Sequence, residues 1–315
     1  IDFGKVETTG GRHPNIYGLN PDSGCFLGVD IKKFRVNLAL INFKGEMIDS
    51  LLNVPFNYEN TIESFDSLCK IIENYISSLT IPKLKILSSG INISGRINTQ
   101  TGHSYSMYYF SEQPLTDIFH ERLGIHVTID NDSRAMAYGE FKKGVVKDEK
   151  NILFVNCSWG LGLGIITNGQ LYYGKSGFSG EFGHLSVFDN DVICHCGKKG
   201  CLETQASGSY IHRRFIEKMN EGNSSILDNK KKKGEIIILE DILEAALQED
   251  MLAIELIEEV GITLGKQIAG LINLFNPELV IIGGAVALTG DYLLLPIRSA
   301  VKKFSLNLVS KDTSL

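Results

Sequence analysis

Apolar residues alternate with polar ones from Arg35 to Phe43, where Val36, Leu38 and Leu40 mark one face of a half-buried strand. Cys25 to Ile31 reads as a buried strand before it, and Met47 to Phe56 as a third strand after the Gly45 turn. The period then changes. Ile62, Phe65, Leu68, Ile71, Ile72 and Tyr75 fall on one stripe of a helix from about Asn60 to Leu79, which Pro82 stops. Leu84 to Ile93 predicts another strand, ending in loops at Gly90 and Gly95, and a helix over Leu115 to Leu123 leads to a strand at Val127 to Ile129. A helix starts after Asp130-Asn131-Asp132-Ser133, which are N-cap residue types. Asn151 to Asn156 and Leu161 to Thr167 predict paired strands. A helical tract from about Tyr210 to Gln248 follows, interrupted by Lys230 to Lys233 as a solvated loop. A long apolar helix spans Met251 to Phe275, a buried strand Glu278 to Ile282 ends in Gly283-Gly284, and a helix covers Tyr292 to Phe304. Residues 1–20 read as short extended pieces around Thr8-Thr9-Gly10-Gly11.

This order predicts an α/β protein of two units of related plan with a cleft between them, a smaller one over 21–130 and a larger one over 131–315. The 315 residues suffice for two domains. A formal net charge of −6 makes the chain a poor nucleic-acid binder as it stands. The longest apolar stretch, Met251 to Phe275, carries Glu255, Glu258, Glu259 and Lys266, so no membrane span is expected. Cys25, Cys69 and Cys157 sit in apolar periodic segments and read as buried thiols of a reducing, cytoplasmic compartment.

The most specific pattern is Gly180-Glu181-Phe182-Gly183-His184 followed by Cys194-His195-Cys196-Gly197-Lys198-Lys199-Gly200-Cys201-Leu202-Glu203. His184, Cys194, Cys196 and Cys201 form a Cys₃His set of the kind tetrahedral zinc takes, and a structural zinc ion is the expected cofactor. Glu181 and Glu203 flank these ligands, so the metal would hold two carboxylates in fixed relation.

The run E-x-G-H, then C-x-C-G-x-x-G-C-x-E, resembles the ROK group of repressors, uncharacterised frames and sugar kinases. The resemblance implies a two-domain actin-like, hexokinase-like (ribonuclease H-like) ATPase fold with a central cleft. It implies a hexose or amino-hexose, phosphorylated or not, held by Asn131, Asp132, Glu181, His184 and Glu203, with Gly90 in a weaker match to a cleft loop. In the kinases the residue matching Asp132 is the general base. Plain N-capping is the alternative for Asn131 and Asp132.

The nucleotide half departs from that pattern. Where the kinases read Asp-Ile-Gly-Gly-Thr, this chain reads Asp30-Ile31-Lys32-Lys33-Phe34, and two Cβ-bearing lysines oppose the tight turn. The second phosphate loop reads Ser158-Trp159-Gly160-Leu161-Gly162-Leu163-Gly164, with tryptophan in place of threonine. Residues 1–20, with Thr9-Gly10-Gly11-Arg12-His13-Pro14-Asn15-Ile16-Tyr17-Gly18-Leu19-Asn20, resemble the linker that joins family repressors to an upstream winged helix-turn-helix. The expectation is a sugar-sensing repressor region that reaches operator DNA only through that missing domain. An ATP-dependent hexose kinase with divergent phosphate loops is the alternative. A homodimer or dimer of dimers is expected, with Gly261 and Gly265 on the long helix as a dimer face or as internal core.

Overall fold

In a computed structural model that describes residues 2–5 and 15–315, the chain divides into two compact units, Ile1–Asp132 and Ser133–Leu315. The linker-like residues Thr9 to Pro14 lie outside the described residues. In the first unit, β1 (Asp2–Lys5) and β2 (Asn15–Tyr17) pair antiparallel. β3 (Cys25–Ile31), β4 (Arg35–Asn42) and β5 (Met47–Pro55) form an antiparallel meander. α1 (Ile62–Ser78) begins at Thr61, whose hydroxyl accepts from the Ser64 N–H at 3.2 Å, and buries Phe65, Leu68, Ile72 and Tyr75. β6 (Ile86–Ile93) pairs parallel with β3. A small antiparallel pair, β7 (Ile97–Asn98) and β8 (His103–Ser104), follows. α2 (Leu115–Leu123) then leads to β9 (His126–Asn131), parallel to β6. The sheet order is β5-β4-β3-β6-β9. Val29, Ile31, Leu38, Leu68, Ile91 and Phe119 are fully enclosed in its core.

α3 (Asp132–Lys143) opens on the last residue of the first unit and runs into the second. There β10 (Ile152–Cys157), β11 (Leu161–Thr167) and β12 (Gln170–Leu171) repeat the antiparallel meander. The helices are α4 (Gly208–Asn220), α5 (Asp228–Lys232), α6 (Leu239–Leu247) and α7 (Met251–Phe275). β13 (Leu279–Gly283) pairs parallel with β10, giving the order β12-β11-β10-β13, and α8 (Asp291–Phe304) and α9 (Asn307–Ser310) follow. Each sheet thus places its first strand between the second strand of its meander and a later parallel strand. The predicted kinship of plan is present in the topology.

Several expectations need correction. Gly90 is not in a loop at a strand end. It lies inside β6, opposite Gly28 of β3 and Thr128 of β9, and the turn comes later, at Gly95. Lys230 to Lys232 form a short helix rather than a loop, though Lys231, Lys232 and Lys233 remain exposed as expected; Lys230 meets Asp241 at 2.6 Å and Lys231 donates to the Met219 carbonyl at 2.8 Å. Gly261 and Gly265 face α8 of the same chain. A Cβ on Gly261 would stand 2.8 Å from the Leu293 carbonyl oxygen, and one on Gly265 would stand 2.6 Å from that of Ile297. They are internal core, so these glycines supply no dimer face. Cys25, Cys69 and Cys157 are buried free thiols, as expected.

Candidate functional site

The loop after β12 returns to β11 before entering the cysteine motif. Gly180 has φ +85°, and a side chain on it would collide with the Leu163 backbone; one on Gly183 would collide with that of Leu161. Glycine lets the loop lie directly on β11. The buried Phe182 anchors a short 3₁₀ turn, Phe182–His184, beneath Glu181. The cysteine loop is tied to this turn. The Leu202 N–H donates to the Leu185 carbonyl at 2.8 Å and the Val187 N–H to that of Gly200 at 2.9 Å.

This brings the four predicted ligands together. The ligand atoms of His184, Cys194, Cys196 and Cys201 all lie within 4.8 Å of one another. His184 Nδ1 is 3.5 Å from Cys194 Sγ, and Cys196 Sγ is 3.6 Å from Cys201 Sγ. The donor set can hold a metal, and its softness suits a four-coordinate N/S shell. Burial pushes the Cys194 thiol up to about 12. Burial also acts to raise Cys196, but the Lys198 N–H and the thiols of Cys194 and Cys201 outweigh it and hold Cys196 low. Cys196 is therefore the readiest thiolate of the set.

The imidazole of His184 looks two ways. Its Nε2 lies 3.7 Å from Glu181 Oε2, on the side away from Cys194. A ligand bound through Nδ1 would fix the ring that faces Glu181. Glu203 is nearly enclosed. Its Oε1 meets His195 Nδ1 at 2.9 Å, and its Oε2 accepts from the Leu161 N–H at 3.0 Å. Burial acts to raise its pKa, but the His195 and Leu161 donors, with the nearby His195 and His184 rings, hold it below the ordinary carboxylate range. His195 was not foreseen as a partner. The structure places it with Cys194 and Glu203 in a second group whose ligand atoms lie within 4.8 Å of one another.

In the first unit, Asn131 ends β9 and Asp132 opens α3 without an intervening loop. The Asn131 amide donates to the Gly95 carbonyl at 2.9 Å, and the Ser94 hydroxyl donates to Asp132 Oδ2 at 2.8 Å. Both side chains are thus held to the turn after β6. The polar atoms that resemble part of a hexose-binding set are thus oriented by hydrogen bonds within the chain. Gly90 lies upstream of that turn, and a Cβ there would meet nothing closer than Thr128 Oγ1 at 3.9 Å.

The two phosphate-loop positions have other partners. The turn from β3 to β4 closes with the Lys32 N–H on the Arg35 carbonyl at 2.8 Å, and no residue of it takes positive φ. The lysines do not break the turn. They replace its bare backbone with side chains. In the second unit the Ser158 carbonyl accepts from the Gly208 N–H at 2.8 Å and the Trp159 carbonyl from the Ser209 N–H at 2.9 Å, where α4 starts. The Trp159 ring packs on His212 with centroids 5.5 Å apart. The Ser158 hydroxyl accepts from the Ala285 N–H at 3.2 Å, tying this loop to the one after β13.

The fold is that of a two-unit α/β protein of the actin-like, hexokinase-like class, and the relatives it matches, kinases and repressors named for sugars, give it a sugar-related function. The chain matches the ROK family over residues 26–313 and belongs to it. It is 32% identical over 289 residues to a glucokinase of Halalkalibacterium halodurans, covering 89% of this chain and 86% of that protein. It is 30% identical over 325 residues to a putative xylose repressor of Caldicellulosiruptor sp., covering 96% of this chain and 76% of that protein. Among solved structures it resembles a ROK family transcriptional regulator, a homologue of the E. coli MLC protein, with TM-score 0.78 and 29% identity over 94% of this chain and 74% of that one. No helix among the described residues is long and apolar enough to cross a membrane.

Proposed function

We propose that this chain is the monosaccharide-sensing region of a ROK-type transcriptional repressor, acting in the cytoplasm. It would bind a hexose or amino-hexose, free or phosphorylated, through Asn131, Asp132, Glu181, His184 and Glu203, with Gly90 nearby. Zinc at His184, Cys194, Cys196 and Cys201 orders the loop that carries Glu181 and Glu203. A sugar ring offers vicinal hydroxyls, and carboxylates accept their protons in pairs, so a wrong epimer leaves buried acceptors unsatisfied. Zinc supplies structure here rather than a step of chemistry.

The reading is carried by one contrast within the second unit. The sugar-type set Glu181, His184 and Glu203 is held in place, while the phosphate-loop position beside it is filled by Trp159, packed on His212. The relatives supply the sugar class by name, glucose in one and xylose in another. A sugar acts on a regulator only through its different affinity for two arrangements of the protein. Operator contact is not assigned to this acidic body, which carries formal net charge −6. Self-association as a homodimer or dimer of dimers belongs to the same proposal, and sedimentation tests it.

Titration calorimetry against hexoses, amino-hexoses, xylose and the corresponding 6-phosphates, or 5-phosphate for xylose, should find one ligand. A parallel assay with ATP and magnesium should find no phosphate transfer. Efficient transfer would establish the second reading, an ATP-dependent sugar kinase, which the 32% identity to a glucokinase favours.

A further inference from the structure

Lys32 stands in the turn between β3 and β4, at a position where the kinase pattern carries glycine. Its ammonium is 3.1 Å from Asp30 Oδ1, on β3, and 3.9 Å from Asp132 Oδ2, at the start of α3. The same Asp132 oxygen accepts from the Ser94 hydroxyl at 2.8 Å, and Asp30 Oδ2 accepts from the Asn37 amide at 3.3 Å. The three charged side chains are largely withdrawn from solvent, at 22% exposure for Lys32, 29% for Asp30 and 14% for Asp132. Carboxylates from two distant parts of the chain therefore both face the Lys32 ammonium.

Two carboxylate oxygens facing one ammonium are donors of the kind that a hard divalent cation collects. In phosphoryl transfer such a cation neutralises the polyphosphate and bridges it to the protein's carboxylates. An ammonium satisfies the same carboxylates with one charge and no open coordination position, so nothing can be bridged through it.

We propose that Lys32 is a built-in replacement for a divalent cation. It balances Asp30 and Asp132, keeps magnesium and manganese out, and leaves Asp132 as a fixed acceptor for a sugar hydroxyl. The inference deepens the sensing reading and rests on it for the role of Asp132. The proposed exclusion of the metal concerns Lys32 alone.

The test is a manganese titration of the full chain, read by the loss of the free Mn2+ paramagnetic resonance signal. Wild type, Lys32→Met, Lys32→Ala, Lys32→Arg and the Lys32→Met/Asp30→Asn double variant are compared, with melting curves confirming that each is folded. Lys32→Met keeps most of the aliphatic stem and guards against a packing defect. Lys32→Met and Lys32→Ala should each gain one manganese site at least about tenfold tighter than any in wild type. Lys32→Arg should behave as wild type, and Asp30→Asn should abolish the gained site. Any manganese binding at the cysteine cluster is common to all five proteins and cancels. Wild-type-like titration of both neutral variants overturns the inference, as does a gained site that survives Asp30→Asn. Sugar calorimetry on wild type is a separate result: a blank sugar panel would sink the sensing reading while the manganese comparison still judges Lys32.

Discussion

Glu203 and Leu161, 42 positions apart, are joined by a 3.0 Å hydrogen bond from the Leu161 N–H to Glu203 Oε2. The bond fastens the end of the cysteine loop to the first residue of β11. The stretch that carries the candidate metal ligands and the stretch that would cradle phosphate in a kinase are thus one hydrogen-bonded assembly.

Removing that carboxylate should be costly. Glu203→Ala strands the Leu161 N–H and loosens His195, for a loss of about 1–3 kcal/mol by denaturant unfolding. Because Glu203 is not among the four proposed ligands, zinc content should stay the same. A double-mutant cycle with His195→Ala should give a coupling well away from zero, and strict additivity would contradict the paired role.

Metal analysis of purified protein should give about one zinc per chain. Chelation, or Cys196→Ser, should lower the melting temperature and weaken sugar binding through the loop bearing Glu203. Acid should release the metal, because its thiol ligands must be deprotonated to bind. A metal-free protein that melts unchanged on addition of zinc would end this expectation.

Asp132→Ala and Glu181→Ala should each weaken sugar binding by about 1–3 kcal/mol, the cost of an unpaired polar group. Calorimetry with the ligand found on wild type reads this directly. Unchanged affinity in both variants would remove these residues from the site.

α7 offers a matched pair of glycine replacements. Gly265→Ala would place a methyl 2.6 Å from the Ile297 carbonyl oxygen and 2.7 Å from Ala300 Cβ, and should destabilise by about 1–3 kcal/mol. Gly270→Ala meets nothing within 4 Å and should stabilise by about 0.5–1 kcal/mol through helix propensity. Equal effects at the two positions would deny that the α7–α8 contact is tight.

Glu278 gives a pH signature outside the site. Its Oε2 accepts from the N–H groups of Lys150 at 2.7 Å and Asn151 at 2.8 Å, and these bonds hold its pKa below the ordinary 4.5. A folded pKa lower than the unfolded one contributes stability that is complete above about pH 4.5 and is lost as pH falls through the folded value. Melting temperature against pH should therefore fall less steeply in acid for Glu278→Gln than for wild type, and superimposable slopes would contradict the assignment.

What could be read from the chain follows from what is local. β4 was legible because Val36, Leu38 and Leu40 repeat at the strand period, and α7 because its apolar run suits a long helix. The clustering of His184, Cys194, Cys196 and Cys201 was legible because their spacing is that of a four-ligand set. Pairings set by tertiary approach were not. Nothing beside His195 announces Glu203, nothing beside Lys32 announces Asp132, and Lys230 forms helix because Asp241 is across from it. Gly90 reads as a loop residue because glycine punctuates sequences, whereas in the fold it sits in a paired strand.

β5 forms one border of its sheet and leaves Met47, Ile48, Leu51 and Leu52 open to water. A long, regular border of that kind would recruit strands from other molecules. Its register against β4 slips twice, between Val36 and Leu38 and between Leu40 and Ile41, and Asn53 takes φ 57° with its N–H on Asn37 Oδ1 at 2.8 Å. Each slip bends the border and breaks its line of outward donors and acceptors. An incoming strand would find only short runs to match, so the irregularity blunts this apolar rim as a template for pairing.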